Sequence, residues 1–355
     1  MGNFLDAPLT EKTTEVGEDP TKRVWCATSC MQGWRAQMED DHLMTLSIPE
    51  AREVSLFGVF DGHGGDHVAH YTAKNVQRHF TSAPGFKAPF DVATITTSFK
   101  HSILQLDSEL RSQPEHMSGH DQSGSTLTMV AISPTHIICA NTGDSRSVLS
   151  RSGQAVDLSN DHKPFLEVEK DRIEKAGGHV KFNRVNGDLA VSRALGDFAY
   201  KQREDLPAEV QAVTADPEVM TQARSDDDEF VVLACDGIWD VMSSQDVVTY
   251  VGNLLRCSER PASESRTAVQ PVGADSPSSR QQGQPQQQRP WDLGAVAEAL
   301  LDKCLEKGSR DNMSVIIVVL KAALVPGSSA SASAQRRSDA AAGGGGSGSG
   351  AAGAA

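Results

Sequence analysis

Two segments of this 355-residue chain end an apolar run in an Asp-Gly step. The first runs from Leu56 to Phe60 into Asp61, Gly62, His63, Gly64 and Gly65. The second runs from Phe230 to Cys235 into Asp236 and Gly237. Each reads as a β-strand closed by a carboxylate. Alone, either step is a common turn. A carboxylate at the end of a rigid strand is also well placed to hold a metal, and glycine lets a backbone carbonyl turn toward the same ion. All the donors are oxygens, which favours Mg²⁺ or Mn²⁺ over zinc or copper. Two such ions, roughly 3.5–4 Å apart, would make a bridging water a nucleophile at neutral pH and would clamp a phosphoryl group.

Other chemistries lack their residues. A cysteine phosphatase needs Cys-x5-Arg, but Cys30 precedes Arg35 by one residue too few and Cys139 precedes Arg146 by one too many. No Gly-x-x-x-x-Gly-Lys-Ser/Thr loop and no Gly-x-Ser-x-Gly elbow occurs. The six cysteines form no CxxC pair or Cys/His cluster, so zinc is not expected. Cys139 and Cys235 read as small core residues, and Cys26 and Cys30 as packing residues. His101, His116 and His120 carry no partner pattern. The acidic run Asp226 to Glu229 reads as a solvated turn before a buried strand, and Trp34 as a core anchor.

The elements that must position these groups show in the patterning. Apolar, β-rich runs lie at 24–30, 54–60, 125–132, 136–141, 147–151, 230–235 and 314–320. Several are separated only by turn residues, which favours antiparallel hairpins. Helical spacing appears at 66–80, 90–111 and 163–176, from Ser243 with Asp246 as its capping partner, and at 291–307. The expected class is α+β, a four-layer α/β/β/α sandwich with two antiparallel sheets face to face and helices on both outer faces. Residues 24–323 form the expected catalytic domain, with a disordered insertion at about 257–290. Residues 1–23 are an N-terminal segment and 324–355 a flexible Ser/Ala/Gly-rich tail.

The formal net charge of -14 disfavours a nucleic-acid partner. A reducing, cytoplasmic setting fits the cysteine usage, with a nuclear or membrane-associated pool as further options. Gly2 supplies the acceptor for N-myristoylation, although Asp6 stands where the motif wants Ser or Thr. Membrane association is expected only if Gly2 is lipidated, and the protein is expected to be a monomer.

At this level the sequence resembles the type 2C metal-dependent protein phosphatases, the PPM family, from about residue 24 to 320. The resemblance rests on an ordered set of motifs: Gln32-Gly33-Trp34-Arg35 with Met38-Glu39-Asp40, Asp61-Gly62-His63-Gly64-Gly65, Ser123-Gly124-Ser125-Thr126 and Asn141-Thr142-Gly143-Asp144-Ser145-Arg146. The set continues with Asp161-His162-Lys163-Pro164, Val191 through Asp197, Ala234 through Asp240 and Ser309-Arg310-Asp311-Asn312.

The resemblance implies a serine/threonine phosphatase with two Mg²⁺ or Mn²⁺ ions and a third, weaker one. By it, Asp61 would bridge both metals and Gly62 would offer its carbonyl. Glu39, Asp236 and Asp311 would complete the shells, with Asp40 acting through water. Asp144 and Asp240 would match the third site. Arg35 would hold the substrate phosphate, and His63 would protonate the leaving alkoxide. A metal-bridging water or hydroxide would attack phosphorus in line, and the substrates would be phosphorylated proteins. The rival readings are a catalytically inactive phosphopeptide-binding relative and a hydrolase of small phosphate esters.

Overall fold

The computed structural model describes residues 4–257 and 293–320. Gly2, the tail at 324–355 and all but the first residue of the insertion at 257–290 lie outside the described residues. Among the described residues, eleven strands make the two large antiparallel sheets. The first contains β1 (Phe4–Asp19), β2 (Val24–Arg35), β7 (Arg146–Arg151), β8 (Gln154–Asp157), β10 (Asp228–Ala234) and β11 (Met313–Val319), in the order β1-β2-β11-β10-β7-β8. The second contains β3 (Asp41–Thr45), β4 (Ser55–Phe60), β5 (Leu127–Ile132), β6 (His136–Thr142) and β9 (Glu218–Ala223), in the order β9-β6-β5-β4-β3.

The period-2 geometry of a strand sorts the side chains into layers. In β10, Val231 and Leu233, with Ile316 and Val318 of β11, face the other sheet, where they meet Phe57, Val59, Val130 and Cys139. Their neighbours Phe230, Val232 and Ala234 face outward, against helices α4 (Ser244–Cys257) and α5 (Leu293–Glu306). The second sheet does the same with Leu56, Phe60, Met129 and Ala140, which pack under α1 (His67–Thr81) and α2 (Val92–Arg111). Three apolar layers therefore separate four layers of structure, the expected α/β/β/α sandwich. Strands buried on both faces explain why β10 and β11 read as continuous apolar runs.

Helix starts follow local chemistry. The Asp91 side chain accepts from the Thr94 N–H at 2.8 Å and caps α2. Ser243 and Asp246 exchange bonds of 3.1 and 2.8 Å at the start of α4. The helix expected at 163–176 begins later, as α3 (Glu167–Lys175). Pro164 disfavours helical backbone at Lys163, and the 163–166 segment is instead a turn closed from Leu166 N–H to the Lys163 carbonyl. Gly177, at φ +89°, ends α3.

The sequence patterning did not mark β1, β3, β8 or β9, and these are the four sheet edges. The run Asp226 to Glu229 also differs from a solvated turn: Asp228 and Glu229 are buried at the start of β10. Arg151 pairs with Asp228 at 2.7 Å, while the Ser150 hydroxyl and Gly153 N–H donate to Glu229. Paired acids can be buried where unpaired ones cannot. Trp34 is half-buried rather than a core anchor, with the Arg310 guanidinium 5.9 Å from its ring centroid. Among the described residues no helix is long and apolar enough to cross a membrane.

Candidate metal centre

One end of the sandwich collects carboxylates from five connections. Asp61 follows β4, and Asp236 follows β10 as the first residue of a one-turn helix, Asp236–Trp239. Asp311 precedes β11, Glu39 and Asp40 lie between β2 and β3, and Asp144 lies between β6 and β7. Antiparallel pairing puts these ends together: Ala234 lies opposite Val315, Met31 opposite Met313 and Phe60 opposite Asp41. Arg35, the last residue of β2, donates to Asp311 at 2.5 Å.

The cluster is electrostatically unfavourable as it stands. Asp40 is 5% exposed, and neither of its carboxylate oxygens has a hydrogen-bond partner. Oxygens of Asp40 and Asp61 and the Cys235 sulfur lie within 4.8 Å of one another. Two unit charges that close repel by roughly 3–4 kcal/mol at an effective dielectric near 20. Burial pushes the Asp40 carboxyl up to about 7. Burial, then repulsion from Asp236 and Asp40, holds Asp61 well above the usual carboxylate range. Asp236 is displaced the same way by burial, Asp144 and Asp311. Orphaned, mutually repelling oxygens are costly to bury unless a cation meets them. The donor set therefore fits hard divalent cations.

The surroundings fix the cluster by close backbone approach. An added Cβ at Gly62 would lie 2.2 Å from the Glu39 carbonyl oxygen, and one at Gly237 would lie 2.1 Å from that of Asn312. Asn312 is a residue to which the sequence gave no role. Its Oδ1 accepts from the Glu39 N–H at 3.0 Å, and its Nδ2 donates to the carbonyls of Gln32 and Gln37 at 2.9 and 3.0 Å. It ties the Glu39 segment to the Asp311 turn. Cys235, expected as a simple core residue, lies against the acids. Burial and the neighbouring carboxylates keep its thiol protonated, and it donates to the Asn312 carbonyl.

Asp144 is ion-paired with Lys163 at 2.5 Å. Asp240, just past the short helix, is exposed. Its carboxyl is raised by burial of its inner side and by Asp144, against the pull of Lys163. Arg146 grips Asp161 with two bonds of 2.9 and 2.8 Å, which anchors the turn carrying Asp144.

His63 meets Asp197, Nε2 to Oδ2, at 2.7 Å. Burial alone would lower the imidazole, but Asp197 outweighs it and holds His63 above its ordinary value. Asp197 is buried, adopts φ +50° and donates its N–H to the Ser123 carbonyl at 3.2 Å. No side chain fits at Gly124, where a Cβ would lie 2.2 Å from Asp197 Oδ2 and 2.5 Å from His63 Nε2. Asp197 closes the Val191–Asp197 segment, and its αL backbone leaves no sequence signal. Asp197→Asn is expected to lower kcat on the order of 10²-fold with KM nearly unchanged, because it removes the charge that raises the proton affinity of His63 and aligns its ring. Steady-state kinetics on a phosphopeptide check this, and an unchanged kcat would refute the assignment.

A family model described as Protein phosphatase 2C matches residues 25–313. Protein phosphatase 1B of Rattus norvegicus is 41% identical over 327 residues, covering 90% of this chain and 75% of the relative. Protein phosphatase 1A of Homo sapiens is 39% identical over 324 residues, covering 90% and 76%. The crystal structure of a phosphatase from a pathogenic strain of Toxoplasma gondii superimposes with a TM-score of 0.68 at 26% identity, covering 88% of this chain and 96% of that one.

Proposed function

The chain belongs to the protein phosphatase 2C family and is a metal-dependent serine/threonine protein phosphatase, and from that premise we propose that its acidic end holds two Mg²⁺ or Mn²⁺ ions. The observation that carries the proposal is Asp40, a buried carboxylate with two unpartnered oxygens beside Asp61. Asp61, Glu39, Asp236 and Asp311 would hold the ions, with the Gly62 carbonyl as a further donor and Asp40 acting through water. Asp144 and Asp240 would serve a third ion, which must compete with Lys163 for Asp144. When bound, the ions supply Lewis-acid charge for the phosphoryl oxygens and make water more acidic.

The chain's own residues do the rest. Arg35 commits one N–H to Asp311, which aims the guanidinium while leaving other donors for a phosphate. His63, whose proton affinity Asp197 raises, would give a proton to the serine or threonine oxygen as the P–O bond breaks. Gly62 lets the backbone approach the Glu39 carbonyl, and Gly124 leaves the space in which His63 and Asp197 meet.

The test is phosphate release from a phosphothreonine peptide. Release is expected only with Mg²⁺ or Mn²⁺ present and should cease on chelation. Peptide binding without release at any metal concentration would instead identify an inactive phosphopeptide-binding protein.

A further inference from the structure

A second group of metal-type ligands lies beside the glycine turn, and its donors differ in kind. His67 is the first residue of α1. His116 lies in a one-turn helix, Pro114–Met117, and Asp121 in the segment after it. His67 Nδ1 is 2.5 Å from Asp121 Oδ2, and His116 Nε2 is 3.5 Å from the same oxygen. One donor atom from each of the three residues lies within 4.8 Å of the others. The two imidazoles stack at 5.4 Å between centroids, and Phe198 meets His116 edge-on at 5.1 Å.

His116 is the decisive member. Its side chain is 1% exposed, and its Nε2 has no hydrogen-bond partner. Its Nδ1 is 3.2 Å from the Asp121 backbone carbonyl, which can only accept. Nδ1 therefore carries a hydrogen, which leaves Nε2, 3.5 Å from the Asp121 carboxylate, as the ring's ligating atom. A buried ring nitrogen facing a carboxylate calls for a shared cation, either a metal ion or a proton. An Nδ1–H donated to a backbone carbonyl is also the contact that orients metal-binding histidines.

We propose that His67, His116 and Asp121 form a binding site for a zinc-class divalent transition ion, separate from the all-oxygen centre. Two imidazoles and one carboxylate select zinc or cobalt over magnesium. Three protein ligands leave one position for water. Bonds of about 2.0–2.1 Å in a tetrahedral site set donors roughly 3.3 Å apart. The His116–Asp121 spacing already fits, and the His67–Asp121 contact has to open by roughly 1 Å. His67 can make that move because its side chain is 38% exposed. The ion would brace the proton donor's support: Asp121 Oδ1 accepts from the Ser123 N–H at 2.8 Å, and the Ser123 carbonyl accepts from Asp197.

The experiment titrates the full chain, stripped of metals and then held in excess Mg²⁺, with Co²⁺. Visible absorption reports nitrogen-ligated, low-coordinate cobalt. One equivalent is expected to give an intense spectrum. His67→Gln and His116→Gln should each weaken that binding by more than roughly 100-fold, whereas Asp236→Asn should leave it intact. His67→Gln alters a partly exposed side chain, and its melting temperature under chelation should lie close to the parent's. Two results overturn the proposal: no intense spectrum in the parent chain, which leaves a proton as the cation at His116, or a spectrum that survives in folded His67→Gln.

Discussion

Asp61→Asn is expected to cut metal-dependent phosphate release by on the order of 10³-fold or more and, at the same time, to raise the melting temperature of the chelated protein. Both effects come from one group. Asp61 shares its site with Asp40, Asp236, Asp144 and Asp311, whose repulsion adds to burial. An amide of the same shape keeps the packing and removes a charge from a crowded site, so the metal-free fold gains. The same change would delete the carboxylate proposed to bridge the ions. Removing one preorganised electrostatic group from an active site typically costs 10²–10³, and Asp61 is expected to exceed that because it would bridge two ions. A gain of 1 kcal/mol corresponds to roughly 2–4 °C for a domain near this size. Thermal melts of both proteins, with chelator and with Mg²⁺, test the pair of effects. An Asp61→Asn protein that melts no higher than its parent under chelation would show that the acidic cluster is not strained.

Gly62→Ala is expected to reduce activity by at least about 10²-fold while costing about 1–3 kcal/mol of stability. The new methyl carbon would lie 2.2 Å from the Glu39 carbonyl oxygen and 3.2 Å from the Ala69 methyl. Backbone stands on one side and helix α1 on the other, so the Glu39–Asp40 segment must move. That segment carries two of the carboxylates, and misplacement by an ångström is enough to lose two orders of magnitude. Gly153→Ala is the control. Position 153 has φ +77° with nothing within 4 Å, so alanine there costs backbone strain of roughly 1–2 kcal/mol far from the acids. Denaturant titrations should show comparable destabilisation in the two proteins, and kinetics should show activity lost only in Gly62→Ala. Full activity in Gly62→Ala would mean that the Glu39 segment is free to shift.

The strands legible in the sequence share a physical property. Every run picked out by apolar patterning became an interior strand, buried on both faces between the other sheet and a helical layer. β1, β3, β8 and β9 went unseen because each is an edge. An edge strand needs less apolar surface, so β1 carries Glu11, Lys12, Thr13, Thr14 and Glu15 in a row and still pairs with β2. Its stability comes from backbone bonds to its neighbour, and these leave no mark on side-chain composition. The Asp228–Glu229 pair was misjudged for a related reason: its partners, Arg151 and Ser150, arrive from another strand.

By itself, the sequence determined the two-sheet sandwich, the strand-end carboxylates at Asp61 and Asp236, and the oxygen-donor character of the centre. Those follow from local chemistry: apolar periodicity, Asp-Gly steps and residue type. Tertiary structure alone decided which distant groups complete one another. It set Asp197 behind His63, Asn312 under Glu39, Cys235 against the acids and Lys163 on Asp144. It also brought His67, His116 and Asp121 together, although nothing in their spacing suggests a shared ligand. Such pairings are fixed by strand order and loop path, and a carbonyl or imidazole several dozen residues away leaves no periodicity to read.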